Sequence, residues 1–420
     1  MAVKRSGLHH VKIEAVDWCT VLPVLRIFHL SRTALQPTKL ALAWLIVAGV
    51  FLGGSLLAWP LDPVPVESLL NPRMEALPKW VAYLESGNTP KAVAGGEILT
   101  LWFDVQFERL WRLAASVTTL DLGLDGDLMD GGGILGTLQE LLIEGPRSLW
   151  RVAPGFVLAF AGWAFVVSVL LGLGIARLAA LQLARRRTAG PVEAIGFIVR
   201  KGVWTLIAPA LPLLLVAGGA IALIAVGFVF FNLPVLKWLG GLAYGPLLLI
   251  GLIMALLLIV LAVAVHLLVA AMAVEGTDAF DAVSRCFAYV TTRPWQVLGY
   301  AAAALAYGAL TFLVVLSVVG FAIWLTDRFL AIGVFGDSTH GDSDFTQAAV
   351  SLWQQALLAI PAAYAVSFYF CASVQTYLLV RQSADGSGLD DAYDPTAPKN
   401  THAVLAAEVE AESQASQGDA

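Results

Sequence analysis

Six long apolar runs dominate the sequence, and they limit the fold more than any other feature does. A helix needs about 20 mostly apolar residues to cross the hydrocarbon core of a bilayer. The runs extend from Leu40 to Trp59, Val152 to Ile175 with a polar-faced continuation to Arg187, Val203 to Phe231, Tyr244 to Ala273, Val297 to Leu325, and Ala348 to Val380. Lipid cannot satisfy an open backbone, so each run must close its own hydrogen bonds as a helix. Composition agrees: 13% of the residues are charged, where soluble proteins carry about 25%. The sequence predicts an all-α fold, a polytopic transmembrane helical bundle of about six spans.

The charges predict its orientation. Lys4, Arg5, Lys12, Arg26, Arg32 and Lys39 precede the first span, and Arg185, Arg186, Arg187, Arg200 and Lys201 separate the second from the third. Glu67, Glu75, Glu85, Glu97, Asp121, Asp125, Asp127 and Asp130 separate the first from the second. Basic short loops face the cytoplasm, which puts both termini inside. The chain then divides into a cytoplasmic N-terminal segment with an amphipathic helix (1–39), the first span (40–59), an acidic extracytoplasmic segment (60–147), a five-span bundle (148–380) and a disordered acidic cytoplasmic tail (381–420). The first span reads as retained, because residues 1–39 precede it and no A-x-A site follows it. Trp59, Trp150, Trp238, Trp324 and Trp353 at outer span ends, with Trp204 and Trp295 at inner ones, form the aromatic belt of a bilayer interface.

A composite unit recurs on the cytoplasmic side: an amphipathic elbow helix, a basic residue, often Pro or Trp, then a span. One copy runs from Pro191 to Trp204, a second from Asp278 to Trp295, and a looser one from Arg26 to Lys39. In the second, Phe280, Val283, Phe287 and Val290 fall on one helical face, and Thr277 or Asp278 can cap the start. Such helices suit the membrane plane. Pairs of spans flanking the elbows run in the same direction, as in a parallel repeat about the membrane normal.

Ala273-Val274-Glu275-Gly276, Phe280 to Arg285 and Arg293-Pro294-Trp295 carry a resemblance. This stretch looks like one in uncharacterised multi-pass membrane proteins of planctomycete-type bacteria. More distantly it is similar to the membrane domain attached to some bacterial glycerophosphodiester phosphodiesterases. The likeness covers about residues 190 to 325 and the N-terminal elbow. The phosphodiesterase barrel has no counterpart here, so the resemblance implies a bacterial inner-membrane bundle and no reaction.

Motifs that could carry chemistry fail on spacing. Counting an EF-hand from Asp125 puts Met129 at the fifth position and Gly136 at the twelfth, where oxygen ligands are needed. Phe335-Gly336-Asp337-Ser338 with His340 resembles blocks of GDSL hydrolases, but there the blocks lie far apart in the chain, and here one short loop holds them all. His266 reads as a satisfied interfacial histidine, and Arg177 as a side chain that snorkels to the headgroups. Pro209, Pro212 and Pro361 read as helix breaks or kinks. Cys19, Cys286 and Cys371 read as free thiols. The segment from Glu97 to Leu120, with Trp102, Phe103, Phe107 and Trp111, reads as an amphipathic helix that caps the bundle or lies on the membrane.

No catalytic, cofactor-binding or metal-ligating residue is assigned, and no basic, aromatic-interleaved patch points to nucleic acid. The expected function is that of a non-enzymatic membrane scaffold. Its partners are the lipid bilayer and, through the elbows, a membrane protein. A small-solute or lipid transporter is the alternative, with a membrane-bound enzyme behind both.

Overall fold

The structure is a computed structural model that describes residues 23–61, 64–65, 92–93, scattered positions between 98 and 121, and residues 133–232, 237–333, 344–388 and 392–393. The fold is all-α. A 3-10 turn (Pro23–His29) leads into α1 (Leu30–Ala34), followed by α2 (Pro37–Ala58), α3 (Gly133–Gln139), α4 (Gly145–Val152), α5 (Pro154–Arg185), α6 (Pro191–Ile207), α7 (Ala210–Asn232), α8 (Lys237–Glu275), α9 (Ala279–Thr292), α10 (Pro294–Gly333) and α11 (Asp344–Asp385). Six helical stretches are long and apolar enough to cross a membrane: α2, α5, the stretch through α6 and α7, Tyr244–Glu275 of α8, α10, and Leu352–Asp385 of α11.

Proline and glycine punctuate these helices. Pro37, Pro154 and Pro191 stand in the first turns of α2, α5 and α6, where the missing N–H has no intrahelical partner to lose. Pro209 falls in the short break between α6, which ends at Ile207, and α7, which starts at Ala210. Pro361 lies inside α11, which continues through it as one helix.

Three consecutive units follow the same plan. Each has an elbow, an outgoing span and a return span: the Pro23–Ala34 segment with α2 and α5, then α6 with α7 and α8, then α9 with α10 and α11. Outgoing and return spans pack as hairpins, α2 on α5, α7 on α8 and α10 on α11. The three return helices pack on one another at the centre. Each elbow lies on the return helix of the preceding unit: α6 on α5, α9 on α8, and, closing the ring, α1 on α11. The α6 and α9 elbows start alike, from extended N-cap residues, Gly190 (φ −87°, ψ 168°) and Asp278 (φ −87°, ψ 165°).

The core sits toward the elbow end of this ring. Leu173, Ile175, Ala176, Leu178, Ala179 and Ala180 of α5 meet Ala264, Leu267, Leu268 and Ala270–Val274 of α8 and Ala363, Tyr364, Cys371, Val374 and Tyr377 of α11. Small residues let the backbones approach, which is how helices associate where lipid supplies no hydrophobic drive. Gly172 shows the need: a Cβ there would overlap the ring of Phe370.

A second, smaller cluster closes the far end of the first hairpin. Ala58, Ile98, Leu99, Leu149 and Phe156 are buried together, with Trp102 and Phe103 against them. The described positions between 98 and 119 are helical, and Trp102 Nε1 donates to the Gly145 carbonyl at 3.0 Å. These positions pack against the end of the first hairpin. Phe107 and Trp111 lie outside the described residues. Nearby, Val64–Pro65 pairs antiparallel with Ala92–Val93.

Candidate functional site

The return helices end in the same way. Each closes on a charged residue followed by a residue in the left-handed region: Arg185 then Arg186 (φ 51°), Glu275 then Gly276 (φ 63°), Asp385 then Gly386 (φ 69°). This is an αL helix stop, which glycine adopts without strain. The charged residue in each pair reaches across to another part of the ring.

Glu275 is the hub. Its Oε1 accepts from the Tyr377 hydroxyl at 2.9 Å and pairs with Arg381 Nε at 3.2 Å, while Oε2 accepts from Arg285 Nη1 at 3.2 Å. It thus joins α8 to α9 and α11. Arg285 also grips both carboxylate oxygens of Asp281, one turn earlier in α9, at 3.1 Å each. That hydrogen bonding, with the nearby charge of Glu275, raises the guanidinium above its usual range. Asp385 accepts a short hydrogen bond from the Tyr289 hydroxyl of α9. Arg185 donates from Nε (3.0 Å) and Nη2 (2.7 Å) to the Ala392 carbonyl.

Ala392 and Tyr393 form a strap across this end. The Tyr393 N–H donates to the Val274 carbonyl at 2.8 Å, and its ring lies against Gly276, where an added Cβ would come within 2.5 Å of Cδ1. Arg177 sits beneath, its Nη1 donating to the Ala273 carbonyl at 3.0 Å and its guanidinium 4.7 Å from the Phe197 ring and 5.8 Å from that of Tyr393. Arg177 is fully buried. The snorkelling expectation is therefore corrected: the side chain turns inward, where the end of α8 offers carbonyl acceptors and Phe197 a π-face. Lys39 is likewise buried and donates to Gln182 Oε1 at 2.6 Å and the Thr33 carbonyl at 3.3 Å. It ties the first elbow and outgoing span to the return helix of its own unit.

The third elbow also differs in detail. Its buried residues are Ala279, Ala282, Cys286, Tyr289 and Val290, while Phe280 is exposed. Of the Phe280 stripe, Val290 is buried and Val283 and Phe287 pack partly buried against the core, while Phe280 points outward. Burial pushes the Cys286 thiol above its usual range, and burial followed by the Asp385 hydrogen bond does the same for Tyr289. Cys286 and Cys371 are free and buried; Cys19 lies outside the described residues. At the far end, Glu140 pairs with Arg112 at 2.9 Å and Arg109 at 3.9 Å, and burial lowers the Arg109 guanidinium against the opposing pull of Glu140.

Among the described residues no hydrogen bond or ion pair joins His266 to Glu275, whose carboxylate is held by Tyr377, Arg381 and Arg285. The buried His266 Nε2 has no hydrogen-bond partner among the described residues. The expectation of a satisfied histidine is not met at that nitrogen. Asp125, Asp127, Asp130 and the 335–340 block lie outside the described residues. Among the described residues no group of three or more His, Cys, Asp or Glu side chains could hold a metal. Glu275 needed structure to be seen as a hub, although a sequence signal existed: an acid followed by glycine closes two of the apolar runs, Glu275-Gly276 and Asp385-Gly386.

Comparison of the chain with protein families, curated proteins and solved structures finds no match. Fold and junction define it by class: a multi-pass helical membrane protein built from three elbow–hairpin units whose return helices are latched together at one end.

Proposed function

We propose that the chain is a non-enzymatic scaffold of a bacterial inner membrane, holding lipid or a partner membrane protein against its elbows, with both termini in the cytoplasm. One observation carries this reading: the ionisable groups at the convergence of the return helices are occupied by one another. Glu275 is held by Tyr377, Arg381 and Arg285, Asp385 by Tyr289, and Lys39 by Gln182 and Thr33. A general base or nucleophile needs a free, suitably tuned group within reach of substrate, and a buried thiol held protonated, like Cys286, is inert. The resemblance to the phosphodiesterase-linked membrane domains, which brings no phosphodiesterase barrel with it, belongs to the same reading. Arg185, Arg186, Arg187, Arg200 and Lys201 gather at the elbow end, which supports a cytoplasmic placement.

Transport of a small solute or lipid is the second reading, and the break between α6 and α7 favours it. Pro209 supplies no backbone donor, and broken helices can line substrate sites. Two measurements on the full chain separate these readings. Single cysteines introduced at Asp125 and Arg186 in a background lacking the native thiols are expected to react with an impermeant reagent from outside and inside, respectively; the reverse pattern overturns the orientation. Proteoliposomes are expected to show no solute or lipid flux above empty vesicles. Flux abolished by larger side chains at Ala208 or Ala210 would make transport the leading reading.

A further inference from the structure

Charge at the elbow end is unevenly matched. Every acid described there is engaged: Glu193 with Arg187, Glu275 with Arg285 and Arg381, Asp278 with Lys201, Asp281 with Arg285, and Asp385 with Tyr289. Four arginines have no acidic partner among the described residues. Arg32, Arg186, Arg200 and Arg293 are exposed, and none forms a salt bridge within the described residues. Among the described residues this end therefore carries surplus positive charge.

These arginines recur with the repeat. Arg32 lies one turn after exposed Phe28 on the first elbow, Arg200 one turn before exposed Trp204 on the second, and Arg293 two residues before exposed Trp295 at the end of the third. The second elbow shows the arrangement in full. Ala194, Phe197, Gly202 and Thr205 of α6 face the protein, and Val192, Ile195, Val199 and Val203 form an exposed apolar stripe at helical spacing. Arg200 falls between the stripe and Trp204 around the helix. An acyl chain fits the stripe, and a phosphate fits a guanidinium beside an interfacial aromatic ring.

We propose that the elbow ring selects anionic phospholipids, one headgroup position per unit, with Arg32, Arg200 and Arg293 as the headgroup ligands and Arg186 adding to the field at the second. This rests on the scaffold reading and names the lipid class it holds. A cationic side chain near an anionic leaflet strengthens attachment about fivefold. A soluble acidic protein would use the charge but leave the apolar stripe unexplained.

The test uses full-length protein in detergent, with native mass spectrometry reading retained lipid after addition of phosphatidylglycerol or phosphatidylcholine. Wild type is expected to retain phosphatidylglycerol preferentially. The variant R32Q/R186Q/R200Q/R293Q is expected to lose that preference at least tenfold, the all-lysine counterpart to keep most of it, and the far-end control R147Q/R151Q to leave it unchanged. Matched thermal melting of all four proteins shows that folding is not what changed. Equal retention of both lipids by wild type, or an unchanged preference in the glutamine variant, overturns the proposal. So does displacement of phosphatidylglycerol by millimolar inorganic phosphate, which would mean a free-anion site. Loss of lipid preference leaves the scaffold reading standing, whereas solute flux would remove that reading and leave the preference intact.

Discussion

The two ends of the bundle are built on different principles. At the elbow end, α5, α8 and α11 bury small side chains against one another and exchange hydrogen bonds through Glu275, Arg177, Arg185 and Asp385. Toward the far end the hairpins hold mainly within themselves. Half of the most apolar window in the sixth span is buried, against none of that in the third. The α7 residues Leu213, Leu214, Leu215, Ile221, Ile224 and Phe228 face outward. In water such surface would collapse, but in hydrocarbon Leu gains nothing by leaving lipid for protein. Membrane helices therefore associate where close backbone approach or polar pairing is available, and between the return helices the chain places both at the elbow end.

The sharpest way to break this contrast is Glu275→Ala. Removing the carboxylate leaves Arg381 nearly buried without that charge partner, and breaking a buried pair costs about 3–5 kcal/mol. A large drop in melting temperature in detergent is expected. Leu214→Ala, on the exposed face of α7, is expected to change stability by less than about 0.5 kcal/mol. Similar losses for the two variants would show that the ends are equally held. Gly276→Ala is expected to act on the strap with a smaller effect. An L-residue at φ 63° costs about 1–2 kcal/mol, and the new Cβ would also press on the Tyr393 ring. Faster proteolysis near Tyr393, with the bundle otherwise intact, is the outcome sought; unchanged cleavage would mean that the strap does not depend on this contact.

The far end was the more legible of the two. Apolar length alone locates the spans, because in lipid the backbone has few other solutions. The elbows were also legible, from amphipathic spacing and the Pro or Trp that follows. What the sequence could not reveal is which charges turn inward. Lys39 and Arg177 have the composition of interfacial cations, yet both are buried, because the carbonyls of Thr33 and Ala273 and the side chain of Gln182 await them. Those acceptors come from tertiary packing. The contact of Tyr393 was hidden for a similar reason. Its polar, glycine-bearing surroundings read as solvated tail, and only the left-handed turn at Gly276 opens the space its ring fills. The closed ring was half visible: two elbow copies and a looser third could be seen, but the seating of α1 on α11 needed coordinates.

The weakest expected effect is a pH dependence confined to the elbow end. Cys286 is fully buried against the bundle, and burial raises its thiol above the ordinary value of 9.0. Below that value the thiol is protonated in both folded and unfolded chains, so its contribution to stability is fully present. As pH rises past 9.0 the unfolded thiol loses its proton while the folded one keeps it, and stability falls with pH. By one unit above the ordinary value the loss is about 1 kcal/mol. Tyr289 acts in the same direction, but only past its own ordinary value of 10.0, so between the two values the difference between wild type and a variant without the thiol reports Cys286. Melting wild type and Cys286→Ala side by side across that interval is expected to give a shallower decline for the variant, whatever its starting stability. The slope is the quantity to compare, because the lost sulfur also leaves a small cavity that lowers the baseline at every pH. Parallel slopes would show that the thiol meets solvent in the folded protein, and that the third elbow is held as loosely as the far ends of the spans.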